Sequence, residues 1–278
     1  ADRPFKQVDV FTDRAGYGNP VAVILEAEGL SDEEMQRLAN WTNLSETVFV
    51  FKDDRSDYRA RIFTPSSELD FAGHPTIGTA HAALEAGWVA DPKAFSMQCR
   101  LGHIDLHQTE GLIWARVPAP KQKDSVLDEG ELRASLGGQQ PMDPLLFDIG
   151  PVWLVGRLQT VQTLREIRPD WGRLSGLTRK LGDSTGLVLY AFTDEGGIEV
   201  RAFAPAEGVN EDPVCGSGNL CAARHLEVTG GLERIGRTFV SRQGMNLGRN
   251  GRLHLEVREQ GIELGGQAVT VFDGTARI

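Results

Sequence analysis

Cysteine is scarce in this chain: Cys99, Cys215 and Cys221 are the only three among 278 residues. An odd count with no C-x-x-C spacing excludes a disulfide framework and a structural zinc site. Positive charge is also short, with 29 basic against 39 acidic residues and a net charge of −10. That balance disfavours nucleic acid and anionic membrane surfaces as partners, because both are bound through basic patches. No apolar run reaches the roughly 18 residues of a spanning helix. The opening stretch ADRPFKQVDVFTDR lacks the apolar core of a signal peptide, so a cytoplasmic location is expected. Phosphate loops are missing too: there is no G-x-x-x-x-G-K-[ST], and no G-x-G-x-x-G follows an early strand. The G-x-S-x-G elbow of a serine hydrolase is absent. His103 and His107 fall on one face of a strand in GHIDLHQTEGLIWARV, but no third ligand stands near them, and no metal is assigned.

What is present is a 40% hydrophobic chain, long enough for two domains of ordinary size. Short β-rich runs alternate with helical ones. FKQVDVFT (5–12) and VAVIL (21–25) read as strands joined by a turn-rich loop. SDEEMQRLANWT (31–42) reads as a helix with a Ser31–Glu34 capping box. ETVFVF and YRARIFT read as strands, and HPTIGTAHAALEAG (74–87) as a helix opening just after its proline and stopping at glycine.

The same series recurs. GLVLYAF and IEVRAFA are strands, and DPVCGSGNLCAARHLEVTGG carries the next helix. Arg61, Phe63 and Pro65 recur as Arg201, Phe203 and Pro205, an offset of 140. His74-Pro75 and Gly78 recur as Asp212-Pro213 and Gly216, an offset of 138, which makes the second connecting loop two residues shorter. A period near half the chain argues for two similar α+β domains. We place the first in residues 1–118, a boundary region in 119–150 and the second in 151–278, with the last strand either completing the second domain or returning to the first. Ligands often bind where domains meet, and each half offers a helix N-terminus whose backbone N–H groups suit a small anion.

Several residues could carry chemistry. Glu46 precedes the apolar Val48, Phe49 and Val50. Either it faces water at the start of a strand, or burial raises its pKa toward neutrality, where a carboxyl can take and return a proton. His74 stands before Pro75 and is disfavoured in helical conformation, so its ring either caps the surface or points past the helix end into a cleft. Asp212 is a dipole-favoured helix-end aspartate or, as the counterpart of His74, a functional group. Gly216 and Ser217 at the second helix start suit a carboxylate, and Ser217 also suits an N-cap. Cys215 is a nucleophile or base activated by a helix N-terminus, or a small buried residue. Cys99 and Cys221 read as core.

Taken together, GNPVAV, NLSET, FAGHPT and EDPVCGSGN, in this order and spacing, resemble the PhzF-like isomerase family of phenazine biosynthesis, and the likeness runs nearly the full length. That family shares its fold with diaminopimelate epimerase and proline racemase. The resemblance implies two pseudo-symmetric lobes, each a barrel-like sheet around a central helix, a cofactor-free site between them, and homodimers. It implies a proton-shuttling glutamate at Glu46, a glycine-histidine pair at Gly73 and His74, an aspartate at Asp212, and an anion cradle at Gly216 and Ser217, with Cys215 lining it. PhzF has threonine where this chain has Cys215, which looks more like the second thiol of diaminopimelate epimerase. The first epimerase thiol has no counterpart, because His74-Pro75 occupies its region. The expected activity is isomerisation of a small carboxylic acid. The alternatives are a two-base epimerase using Glu46 with Cys215, and a carboxylate-binding protein without chemistry.

Overall fold

A computed structural model describes residues 1–182 and 184–278. The chain divides into two compact units, residues 1–117 with 264–278, and residues 118–263. Among the described residues no helix is long and apolar enough to cross a membrane.

The first unit begins with β1 (Asp2–Val10), β2 (Asn19–Ile24), α1 (Asp32–Thr42), β3 (Thr47–Phe51), β4 (Tyr58–Phe63) and β5 (Glu68–Leu69). It continues with α2 (Gly73–Glu85), β6 (Phe95–Cys99), β7 (Gly102–Thr109) and β8 (Leu112–Val117). The expected capping box of α1 is formed: Ser31 accepts from the Glu34 N–H, and the Glu34 carboxylate accepts from the Ser31 N–H. Its apolar face, Met35 and Ala39, packs on Phe49, Phe51 and Phe63. Helix α2 is different. It is buried on nearly every side, as a helix apolar all round must be, and it touches β1, β2, β3, β4 and β8. Small residues make that wrapping possible: a Cβ on Gly78 would lie 2.5 Å from Val21 Cγ1 and 2.8 Å from Val10 Cγ2. The helix ends at Glu85, and Gly87 takes the left-handed conformation at φ 71° that favours glycine.

The second unit contains β9 (Lys121–Lys123), α3 (Glu129–Ser135), β10 (Met142–Asp148), β11 (Val152–Arg157), α4 (Val161–Glu166) and α5 (Trp171–Lys180). Then come β12 (Gly186–Phe192), β13 (Ile198–Ala204), β14 (Val209–Asp212), α6 (Gly216–Val228), α7 (Leu232–Ile235), β15 (Thr238–Gln243) and β16 (Gly251–Arg258). Residues 119–150, expected to be a boundary region, thus hold β9, α3 and β10, with β9 antiparallel to β10. Leu132 of α3 and Leu136 at its C-cap join a leucine-rich core with Leu164, Leu174, Leu187 and Phe203. Helix α6 fills the centre of this unit, against β10, β11, β12 and β16. Strand β17 (Gly261–Gly266) carries the chain back to the first unit, where β18 (Ala268–Arg277) lies antiparallel along β1.

The strand pairing shows the repeat more fully than the residue matches. In the first unit β1–β2 and β3–β4 are antiparallel, and β2–β3 and β4–β6 are parallel. In the second, β10–β11 and β12–β13 are antiparallel, and β11–β12 and β13–β15 are parallel. The molecule is therefore α+β, with a central helix in each of two matching units. The recurrent arginines brace matching places. Arg61 on β4 grips Glu68 on β5 through Nε (2.8 Å) and Nη2 (2.7 Å). Arg201 on β13 grips Glu211 on β14 through Nε (2.9 Å) and Nη2 (2.8 Å).

The helices, however, correct the second offset. Both central helices have 13 residues, and α2 starts at Gly73 where α6 starts at Gly216. His74 is accordingly matched by Ser217, not by Asp212, which ends β14. The connection ahead of the helix covers residues 64–72 in the first unit and 205–215 in the second, so the second loop is the longer by two. The Pro75 and Pro213 dipeptides serve different ends. Pro75 sits inside the first turn of α2, where its missing N–H would have no helical acceptor, whereas Pro213 sits in the loop before α6.

Candidate active site

In the first unit the site is built around Glu46. Helix α1 is capped at Asn43 in the left-handed region (φ 54°), and four residues later, at Thr47, β3 begins as a wholly buried strand. Thr47 is fixed from two sides, by parallel pairing with Ala22 and by its hydroxyl 2.8 Å from Thr42 Oγ1. Glu46 is thereby held at the lip of the core, with its side chain 15% exposed. Its Oε2 is fully buried and accepts no hydrogen bond among the described residues, and it lies 3.5 Å from His74 Nε2. Desolvation outweighs a hydrogen bond from Ser45, and the Glu46 pKa is pushed up to about 7. Ser45 in turn reaches Asn19 Oδ1 at 3.4 Å.

His74 is buried and occupies the second position of α2, where the sequence had suggested a non-helical residue ahead of the helix. The preference against helix before proline yields here because the first turn demands no N–H from Pro75. Gly73 opens the helix, and Ala72 at the N-cap offers no side chain for capping. Instead Thr76 returns its hydroxyl to the Ala72 carbonyl at 2.8 Å.

In the second unit Asp212, Cys215, Gly216 and Ser217 cluster where β14 turns into α6. The Asp212 carboxylate accepts from the Val214 N–H at 3.1 Å and shapes that turn. Cys215, not Ser217, is the N-cap: its Sγ accepts from the Gly218 N–H at 3.3 Å. The thiol can take this place because Gly218 brings its backbone close; a Cβ there would stand 3.1 Å from Sγ. Ser217 is half-exposed while Cys215, Gly216, Gly218 and Asn219 are buried. Its Oγ accepts from Trp153 Nε1 at 3.0 Å and lies 3.5 Å from Cys215 Sγ.

Reading the sequence missed three supports of this turn, Gln243, Asn219 and Trp153. Gln243 accepts through Oε1 from the Cys215 N–H (3.0 Å) and from Asn219 Nδ2 (2.8 Å), and its Nε2 donates to the Asp212 carbonyl (2.9 Å). Asn219 also donates to the Cys215 carbonyl at 2.8 Å and accepts from the Ser241 hydroxyl. A signal was available in RTFVSRQG. Strand alternation puts Ser241 and Gln243 on the same inward face as Phe239, and a polar residue facing a core needs a partner there. Trp153 had no such signal, since a tryptophan in an apolar strand reads as core.

Cys99 and Cys221 are free and buried, with burial pushing both thiols up. His103 is exposed on β7, and His107 stacks on Trp114 with ring centroids 6.2 Å apart.

Comparison with known proteins adds the family. The model of the PhzC-PhzF family, described as phenazine biosynthesis-like protein, matches residues 8–274. A fission yeast protein (Schizosaccharomyces pombe) named antisense-enhancing sequence 1 is 35% identical over all of this chain and 99% of its own. The trans-2,3-dihydro-3-hydroxyanthranilate isomerase of Pseudomonas aeruginosa is 32% identical over 97% of each chain. The crystal structure of a PhzF-family protein from Enterococcus faecalis superposes over the full length of both chains with a TM-score of 0.83 at 28% identity. On the fold, the full-length family match and relatives named as isomerases, this chain is an isomerase-class enzyme belonging to the phenazine biosynthesis-like (PhzC-PhzF) family.

Proposed function

We propose that the protein is a cofactor-independent isomerase that moves a proton on a small carboxylic acid, with Glu46 as general acid and base. The observation that carries this reading is the state of Glu46: buried at Oε2, beside His74, with a pKa of about 7. At neutral pH such a group is divided between its two forms, so it can remove a proton from an activated carbon and return it to another. His74, 3.5 Å away, positions the carboxyl and answers its change of charge.

The substrate carboxylate is assigned to the start of α6. The cap uses the Gly218 N–H, and Asn219 N–H bonds the Cys215 carbonyl, so the N–H groups of Gly216 and Ser217 and the Ser217 hydroxyl serve the ligand. Asp212 shapes the turn and buffers charge. A cyclic acid is supported by the hydroxyanthranilate isomerase among the relatives.

The test is a screen of small cyclic and amino carboxylic acids in deuterated buffer by NMR. The substrate's C–H signal washes out with the wild type. Glu46→Gln abolishes the washout while binding persists; a Glu46→Gln protein that exchanges normally would sink the assignment. The N-cap thiol supports a second reading, a two-base epimerase in which Cys215 delivers the proton to the opposite face. Deuterium at an inverted stereocentre, lost in Cys215→Ser, distinguishes epimerisation from a double-bond shift.

A further inference from the structure

The geometry points to Ser45 as a positioning residue whose single hydroxyl hydrogen turns between the Glu46 carboxyl and Asn19 Oδ1 as that carboxyl loses and gains its proton. The inference deepens the proposed function and rests on it only in taking Glu46 as the group that trades a proton.

A serine hydroxyl carries one hydrogen and two lone pairs, whereas an amide oxygen and an ionised carboxylate only accept. Ser45 Oγ stands between two such acceptors. It reaches Asn19 Oδ1 at 3.4 Å, and it hydrogen-bonds the Glu46 carboxyl. One hydrogen cannot serve both at full strength, and 3.4 Å is long for an O–H···O bond. Glu46 Oε2 lies beside His74 and accepts no hydrogen bond among the described residues, which leaves Oε1 for the hydroxyl. When Glu46 is ionised the charged acceptor wins, because hydrogen bonds to ions are about twice as strong as neutral ones. Once Glu46 is protonated, its own O–H can donate to a Ser45 lone pair, and the serine hydrogen turns to Asn19. Both states of the carboxyl are then answered by rotating one hydroxyl.

Asn19 is held for this role. Parallel pairing of Ala22 with Thr47 sets Asn19, three residues before the one, at the same end of the strand pair as Ser45, two residues before the other. Asn19 itself is buried at the start of β2, opposite Val10 of β1. The chain just ahead of it is tied down, with the Gly16 and Gly18 N–H groups donating to Asp9 Oδ2 at 2.7 and 3.2 Å. Gly18 is required there, since a Cβ would lie 2.1 Å from the Val10 carbonyl oxygen. The amide that receives the serine hydrogen is therefore fixed, and the hydroxyl is the part that moves. A serine serving only to link α1 to β3 would have no need of a buried amide on another strand.

The test uses the whole protein with ¹³C in its glutamate carboxyls and ¹⁵N in its asparagine amides, followed by NMR across the pH range. The Glu46 signal is the one lost in Glu46→Gln. Ser45→Ala should raise the Glu46 titration midpoint by about one pH unit, the worth of a hydrogen bond to a charged group. Ser45→Thr, which keeps a hydroxyl, should restore it. In the wild type the Asn19 side-chain amide signal should move with the Glu46 midpoint, and in Ser45→Ala it should lose most of that response. A midpoint unmoved or lowered in Ser45→Ala, a Ser45→Thr protein that titrates like Ser45→Ala, or an Asn19 response undiminished by Ser45→Ala would each overturn the inference. So would a wild-type Asn19 amide that ignores the Glu46 midpoint, a measurement that needs no Ser45 variant to fold. The isomerase reading fails separately. A raised midpoint in Ser45→Ala with normal turnover by Glu46→Gln would retain the inference and discard that reading. An unmoved midpoint with an inactive Glu46→Gln would do the opposite.

Discussion

The two units set different side chains at matching places of one scaffold. Measured from the start of the matching strands, Glu46 ahead of β3 corresponds to Thr185 ahead of β12; measured from the central helices, His74 corresponds to Ser217. One unit therefore places a carboxyl beside an imidazole, where the other places two hydroxyls. The second pair is held by neutral donors: Thr185 Oγ1 accepts from the Val152 N–H at 3.1 Å, and Ser217 Oγ from Trp153. A duplicated fold has kept its backbone geometry and, on the proposed function, divides the work at these matched places, with a carboxyl and an imidazole in the first unit and two hydroxyls held by neutral donors in the second. Proton transfer needs a group that changes charge near neutral pH, whereas holding an anion is best done by donors that do not.

The largest effect should come from substituting the matched positions one at a time. Glu46→Gln should cost about 10²–10⁴-fold in turnover, while Thr185→Ala should leave turnover within a few-fold of wild type. Comparable losses in both would erase the division of labour. Next in size are the arginine braces. Arg201 is 5% exposed in its side chain, its partner Glu211 is 10% exposed, and its Nη1 also donates to the Leu164 and Ile167 carbonyls at 2.9 Å. Arg201→Ala leaves a buried carboxylate and should cost about 3–5 kcal/mol in denaturant unfolding. Arg61 is more open, and its second partner Asp32 is largely exposed, so Arg61→Ala should cost about 1–2 kcal/mol.

The carboxyl itself provides a pH-resolved comparison. Its folded pKa of about 7 lies above the ordinary 4.5, so the native chain holds the proton more tightly than the unfolded one. That preference is fully present below about pH 4.5 and is lost as the pH rises through 7. Above that window the buried charge costs on the order of 3 kcal/mol. Glu46→Gln carries no such charge, so it should match wild type near pH 4.5 and exceed its stability by up to about that amount at pH 8. A stability difference independent of pH would mean that Glu46 is not desolvated in solution.

These contrasts also show what could be read in advance. Elements with local signals were legible: the Ser31–Glu34 box, the Gly87 stop, the alternating strands and the Arg-x-Phe recurrence all follow from near neighbours in the chain. Glu46 was legible as a carboxylate on the threshold of an apolar run, although the residues alone left its burial open. The register between the two helices was not. Two prolines suggested one alignment, and the correct one depends on a loop whose extra length is absorbed by β14 and the Asp212 turn. The clamp of Gln243 on that turn spans 24 to 31 residues of sequence, and pattern within a single element carries no trace of such a pairing.

The smallest effects compare a central helix with an outer one. Glycine inside a helix costs about 0.5–1 kcal/mol relative to alanine because the unfolded chain has more freedom to lose. On α5 a Cβ at Gly176 would meet nothing within 4 Å, so Gly176→Ala should stabilise by roughly that amount. On α2 the same change at Gly78 drives a methyl against Val21 and Val10, where β1 and β2 close over the helix. Overpacking costs about 1–3 kcal/mol, and it outweighs the gain in helix propensity. The two substitutions should therefore shift the melting temperature in opposite directions. Should Gly78→Ala raise it as well, the sheet does not wrap α2 as tightly as drawn, and the tight seating that fixes His74 against Glu46 loses its support.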